Sequence, residues 1–259
     1  MLKIIVIFSV IFLFGINLAH ADEILITVTP DSEKIVFDGK WTFKEEWKRS
    51  SQNVVDYDDG AKLFIRSSHD YDNIYIMINF VSDKTAINFA DKGMVCFDGL
   101  NDGGTTPQKD DYCIVASVGS KYPKLLQGGS TLAQTGFFKN IENHPDLIAV
   151  GGLSDNNDRY SATPHITYEF KIPIEIFGKT HTYGFYLQAY DADKDKVYSW
   201  PQNIAKEKYP YIAEPEKWGK LISPDKSIPE FNLPILLASL AFLPIILLTR
   251  LKMNRLQAN

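Results

Sequence analysis

The sequence predicts an all-β domain, a sandwich or barrel of many short strands, on three observations. Short segments rich in Ile, Val, Tyr and Phe recur through the middle of the chain, the composition that suits a pleated, half-buried surface. Polar clusters separate them: Asp58-Asp59-Gly60, Asp70-Tyr71-Asp72-Asn73, Asn101-Asp102-Gly103-Gly104 and Asp155-Asn156-Asn157-Asp158. Helical signals are confined to two turns, near Phe43–Arg49 and Ile174–Phe177. Many short strands with polar turns give a sandwich or a barrel.

In chain order, the first strand is expected at Lys62–Arg66 and the second at Asn73–Phe80. Val95-Cys96-Phe97 and Tyr112-Cys113-Ile114-Val115 form a third and fourth. Thr167–Ile172 alternates polar and apolar residues, Tyr183–Tyr190 follows it, and Trp218–Ile222 closes the domain. Between these last two, Pro201–Pro215 is irregular and aromatic, with Tyr209 and Tyr211.

Both ends of the 259-residue chain are apolar. Lys3, the run Ile4–Ile16 and then Ala19-His20-Ala21 match a secretory signal peptide cleaved after Ala21; the alternative is a short N-terminal anchor. Phe231–Thr249 is almost wholly apolar and, at ~1.5 Å per residue, long enough to cross a ~30 Å bilayer. Arg250, Lys252 and Arg255 follow it, which orients the tail inward and the domain outward. A buried core helix is the alternative, although the segment has no polar face. The expected organisation is a signal peptide over 1–21, a β domain over 22–223, a linker over 224–230, a transmembrane helix over 231–249 and a basic cytoplasmic tail over 250–259.

The formal charge is −5, and the domain is more acidic still once its basic ends are set aside. Nothing in it points to nucleic acid. Both cysteines, Cys96 and Cys113, fall in the exported domain. An even count in an oxidising compartment suggests a disulfide, with two free structural thiols as the alternative. If the two face each other across paired strands, Val95, Phe97, Tyr112 and Ile114 share the opposite, apolar face. The same register sets Asp98 opposite Asp111, a like-charge pair that destabilises a ladder. A hard cation removes that cost, and Asn101, Asp102 and Asp110 stand in the same loop. Calcium held by Asp98, Asp102, Asp110 and Asp111 is therefore one expectation, and acids splayed into solvent the other. Asp191-x-Asp193-x-Asp195 has Lys196 where an EF-hand loop needs glycine and Gln202 where it needs glutamate. It is expected to be a hairpin turn with a solvated acidic face, a cation site being the alternative.

The mature domain's histidines, His69, His144, His165 and His181, stand singly, and there is no H-E-x-x-H, G-x-S-x-G or P-loop motif. Glu169 and Glu175 are expected at the surface or anchoring loops. The domain is expected to be non-catalytic.

The order of the pieces resembles family 9 carbohydrate-binding modules and their DOMON-like relatives. The resemblance is carried by Ile35-Val36-Phe37-Asp38-Gly39, Trp47, Asp70–Ile76, Asp83, Val95–Asp98, Tyr168-Glu169-Phe170-Lys171-Ile172-Pro173, Gly184-Phe185, Asp191-Ala192-Asp193, Ser199-Trp200 and Trp218-Gly219-Lys220-Leu221. It implies a non-catalytic antiparallel β-sandwich of jelly-roll type, often with structural calcium. Sugar-binding members clamp a sugar between two tryptophans; the matching places hold Asn88-Phe89 and Tyr211-Ile212. The candidate ligand contacts are Phe89, Tyr211, Tyr209 and Trp200, with a glycan or a cell-envelope component as partner. Some DOMON relatives hold haem through methionine and lysine or histidine; within the domain only Met77 and Met94 could serve, with a core role as the alternative for Met77. Ile228-Pro229-Glu230-Phe231, the span and its basic tail resemble the PEF-CTERM sorting signal of archaeal surface proteins. That resemblance implies processing by an archaeosortase; a plain anchor is the alternative. Either way the domain is expected at the outer face of the cell membrane.

Overall fold

The computed structural model describes residues 22–29, 32–133, 136–205 and 211–224. The expected signal peptide, Tyr209, nearly all of the linker, the 231–249 span and the tail lie outside them. Among the described residues no helix is long and apolar enough to cross a membrane.

Among the described residues, fourteen strands form two sheets. They are β1 (Glu23–Leu25), β2 (Thr27–Val28), β3 (Ser51–Asp56), β4 (Lys62–His69), β5 (Asn73–Phe80), β6 (Lys92–Asp98) and β7 (Asp111–Ser117). They continue with β8 (Lys124–Gln127), β9 (Lys139–Ile141), β10 (Ile148–Leu153), β11 (Ile166–Pro173), β12 (Thr182–Asp191), β13 (Lys196–Trp200) and β14 (Gly219–Ile222). The eight-stranded sheet runs β1-β14-β12-β6-β7-β8-β9, with β13 also on β12. The six-stranded sheet runs β10-β11-β5-β4-β2, with β3 on β4. The β12 ladder explains the branching: Thr182–Phe185 pairs with β14 and Leu187–Asp191 with β13, on one edge, while β6 takes the other.

Neither expected helical turn is an α-helix. Residues 43–50 form successive backbone turns, Glu46 N–H to Phe43 O, Lys48 N–H to Glu45 O and Ser50 N–H to Trp47 O. Ile174–Ile176 is a single 3-10 turn.

Alternation divides each strand between two environments. Val95 and Phe97 of β6, Ile114 of β7, Phe185, Leu187 and Ala189 of β12 join Ile74, Ile76 and Ile78 of β5 and Tyr168 and Phe170 of β11 in the core between the sheets. The outer face of the large sheet is also covered. Met94, Cys96, Cys113, Val115 and Tyr186 are buried there beneath Phe138, Ala213 and Trp218, with Ile204 and Ile212 alongside. Ile204 and the 212–218 stretch therefore pack across this face, fixed by Trp218 Nε1–H donating to Ala213 O at 2.9 Å.

The small sheet's outer face is covered in turn by the 35–50 segment. Trp41, Trp47, Tyr75 and Met77 form its cluster. Glu169 of β11 is its polar anchor and is fully buried. Its Oε2 accepts the Asp38 and Gly39 N–H groups at 3.0 and 2.8 Å, and its Oε1 accepts Trp47 Nε1–H at 2.9 Å. Glu169 is thus the loop-anchoring residue the sequence allowed, and its three donors supply the partners a buried carboxylate needs. Gly39 sits at φ 82° with Gly152 only 2.5 Å from where a Cβ would be, so glycine alone fits that approach.

Cys96 and Cys113 are partners in the β6–β7 ladder and form a disulfide, Cα atoms 4.0 Å apart. With a sequence separation of 17, the cross-link is worth about 3 kcal/mol on the chain-entropy model. The double variant Cys96→Ala/Cys113→Ala is expected to lose about that much unfolding free energy, with a lower urea midpoint and a larger m value, since its unfolded chain is no longer held compact. An unchanged midpoint would show that the bond contributes nothing to the fold.

Candidate functional site

The register that pairs Cys96 with Cys113 also pairs Asp98 with Asp111. Both carboxylates lie on the cysteine face and both residues are 1% exposed. Gly184, opposite Asp98 on β12, leaves them room: a Cβ there would stand 2.8 Å from Asp98 Cβ. Asp98 Oδ2 accepts Gly103 N–H at 2.8 Å and Asp111 Oδ2 accepts Gln108 N–H at 2.6 Å. Asp111 Oδ1 and Asp110 Oδ2 are buried with no hydrogen-bond partner. Carboxylate oxygens of Asp98, Asp110 and Asp111 lie within 4.8 Å of one another. Burial pushes the Asp111 carboxyl up to about 7, with the charges of Asp98, Asp110 and Asp102 adding to the effect. Burial likewise raises Asp98, against the pull of its backbone donors. Orphaned oxygens around a small acidic space suit a hard cation with oxygen ligands.

Asp102, the fourth sequence candidate, does not join this group. It is exposed, and its Oδ1 accepts Gln108 Nε2–H at 3.3 Å. It lies within the 99–103 turn, which aims the N–H groups of Asp102 and Gly103, not the Asp102 side chain, at Asp98.

The aromatic candidates separate. Phe89 is 66% exposed and Tyr211 47% exposed. Phe89 lies in the β5–β6 connection, its N–H bonded to Val118 O at 2.8 Å. Tyr211 precedes Ile212 and Ala213, which pack on the large sheet's outer face. Trp200 is buried. It is 8% exposed and belongs to the interior core, its ring 5.8 Å from Phe185 and against Gly219. The inward side of β12 takes it because Leu187, its ladder partner, is a core position.

Met77 and Met94 cannot share one iron. Met77 is buried on the outer face of the small sheet and Met94 on the outer face of the large one, on opposite sides of the sandwich.

Two features escaped the sequence reading. His165 is not isolated: its Nε2 lies 2.7 Å from Asn79 Oδ1, whose Nδ2–H donates to Asp158 at 2.7 Å, all three residues being buried. Asp191 is not solvated. It is 1% exposed and lies with Asp83 and Asp91 in a second group of carboxylates, while Asp193 and Asp195 are exposed as expected of a turn. No local spacing links Asp83, Asp91 and Asp191; only the sheet topology does.

The fold and these sites define a two-sheet β-sandwich with acidic clusters at strand ends and aromatic side chains in exposed connections. Neither a protein-family model nor a curated protein matches the chain. Among solved structures it is similar to a family 9 carbohydrate-binding module from Caldicellulosiruptor kristjanssonii in complex with glucose, and to the same module in complex with cellotriose. In each case the TM-score is 0.47 at 12% identity, over 82% of this chain and 100% of the other.

If Asp98, Asp110 and Asp111 hold calcium, the thermal midpoint of the protein rises from excess chelator to excess calcium. A ligand at a hundredfold its Kd adds about 2.7 kcal/mol. Asp98→Asn is expected to reduce that gain and Asp102→Asn to leave it in place. Equal midpoints of the wild type in calcium and in chelator would contradict the assignment.

Proposed function

We propose that this protein is a non-catalytic glycan-binding module of the cell surface. It would contact its ligand through Phe89 and Tyr211, with calcium at Asp98, Asp110 and Asp111 in a structural role, and the 231–249 segment would hold it at the outer face of the membrane. The observation that carries the reading is Phe89. Its backbone sits at φ 63°, a conformation costly for a bulky residue, and its ring gains no burial in return. A residue strained and exposed at once is better explained by what it meets than by what it supports. An aromatic face of this kind stacks on the apolar face of a sugar ring, as the resemblance to family 9 modules implies for this position. Tyr211 adds a second exposed ring with a hydroxyl.

The reading is tested by screening the full-length protein in detergent against a glycan array, then measuring affinity for the best ligand. Phe89→Ala and Tyr211→Ala are each expected to weaken binding by roughly five- to tenfold, the equivalent of about 1 kcal/mol per ring, with unchanged melting temperature. Absence of any glycan hit, or binding that both variants retain in full, would favour an envelope component without a small ligand.

A further inference from the structure

The outer side of the small sheet carries a cleft that the function proposed above does not use. Its volume is about 530 Å³, within the range of small-molecule sites, roughly 300–1,000 Å³. Trp41, Thr42, Phe43 and Lys44 of the covering segment line it together with Asn157 and Arg159 of the β10–β11 connection. Two of these residues are cationic and none is acidic, in a chain whose formal charge is −5. The neighbouring carboxylates are already engaged. Glu45 pairs with Lys48 at 2.9 Å and Asp155 with Lys40 at 3.4 Å, while Asp158 is buried and accepts the Tyr160 and Ser161 N–H groups. Among the described residues neither Lys44 nor Arg159 has an ion-pair partner. A third cation shares the indole. The Arg66 guanidinium stands 5.5 Å from the centre of the Trp41 ring, and that of Arg159 stands 5.9 Å from it. Arg66 is buried and donates to neutral acceptors, Tyr160 Oη at 2.6 Å and Ser50 O at 2.9 Å. The cleft is therefore a place of positive potential on an acidic protein, strengthened by the low-dielectric wall behind it.

We propose that this cleft binds an acidic glycan, a chain of uronic acid units, with a sugar carboxylate held between Arg159 and Lys44. The stack of Arg159 on the indole pre-orients a fork that matches the two oxygens of a carboxylate, and Lys44 adds a flexible point charge. Both walls are fixed. Trp41 Nε1–H donates to Phe43 O at 2.6 Å, Glu46 accepts the Thr42 N–H at 2.7 Å, and the Tyr160 ring next to Arg159 stacks on Phe64 at 3.9 Å. Phe43 is half-exposed and offers an apolar ring to the sugar. Thr42 Oγ1 donates to Asp38 Oδ2 at 2.7 Å and so is left to accept from a sugar hydroxyl. One carboxylate per sugar suits a few cations on an acidic protein, whereas the dense charge of nucleic acid does not. An anionic membrane surface is misplaced for the cleft. The β10–β11 connection leaves the small sheet where Ile166 pairs with Phe80. Asp83, Asp91 and Asp191 join that end to the last residue of β12. The chain leaves the domain from β14, whose Ile222 pairs with Thr182 at the other end of β12. The cleft thus lies at the end of the sandwich remote from the 231–249 segment's attachment.

The site is separate from Phe89 and Tyr211, so its failure and that of the contact proposed for them are read apart. The full-length protein in detergent is titrated calorimetrically with oligogalacturonate, and with its methyl ester as the neutral control. The acid is expected to bind, the ester to bind roughly tenfold more weakly or worse, and the affinity for the acid to fall as salt is raised. Arg159→Gln and Lys44→Gln are each expected to weaken binding of the acid roughly three- to tenfold. Both side chains are exposed, so the melting temperature is expected to stay the same. Phe89→Ala is expected to leave binding of the acid in place. Equal affinity for acid and ester, binding that both cleft variants retain in full, or no binding of the acid by the wild type would overturn the proposal. So would displacement of the acid by an equal concentration of glycerol phosphate, which would mark a lipid-headgroup site.

Discussion

The register of β6 against its two neighbours is the constraint on which the rest of the structure depends. β6 pairs with β7 and with β12 over its whole length, and the disulfide fixes the β7 side covalently at Cys96–Cys113. A slip of one residue would exchange its faces, sending Val95 and Phe97 outward and Cys96 and Asp98 into the core. With the register held, each end of the strand delivers an aspartate to a fixed place. Asp98 meets Asp111 on the outer face, and Asp91 meets Asp83 and Asp191 at the interior end. The connection leading into the strand then carries Phe89 outward, bonded through its N–H to Val118 at the far end of β7.

Both sheets are buried on both faces, which is unusual for antiparallel sheets that commonly leave one face to water. The described covering on each side comes from connections between strands, residues 35–50 on the small sheet and Ile204 with 212–218 on the large one, and each is held by specific polar contacts. On the small sheet Glu169 gathers the 38–39 turn and Trp47. On the large sheet Trp218 stacks on Tyr186 and bonds Ala213. These coverings remove most of the flat sheet surface from consideration as a binding face and leave the strand-end connections as the places where a ligand can be met. Phe89 and Tyr211, both exposed, stand in such connections.

Much of this was legible in the sequence, and the pattern of what was not is physical. Asn73–Phe80 has the strand's own bounds because its residues are strongly β-forming and a polar turn precedes them. The pairing of Asp98 with Asp111 followed from the two cysteines alone. The edge strands β3 and β9, and β8 beside β9, were not visible. Ser51–Asp56 and Lys139–Ile141 are polar and half-exposed, so their sequence lacks the alternation that marks a strand, and their pairing is set by neighbours. Trp200 looked like a ligand contact because it is aromatic and close to the irregular segment; its burial is decided by its place on β13 against Leu187. The Asp83, Asp91 and Asp191 group was hidden for a different reason. Its members come from two sheets, and only the closed sandwich assembles them.

We propose that the β6–β7 ladder, fixed by its own pairing, is flanked by a connection ordered by a cation held at Asp98, Asp110 and Asp111. Amide hydrogen exchange of the full-length protein, with calcium and with chelator, tests this most directly, because it reads the opening of each segment separately. Amides of residues 99–109 are expected to exchange roughly tenfold or more slowly in calcium, about 1.4 kcal/mol of added local stability, while the β6–β7 amides stay protected in both conditions. Exchange of that connection at the same rate with and without calcium would contradict the account.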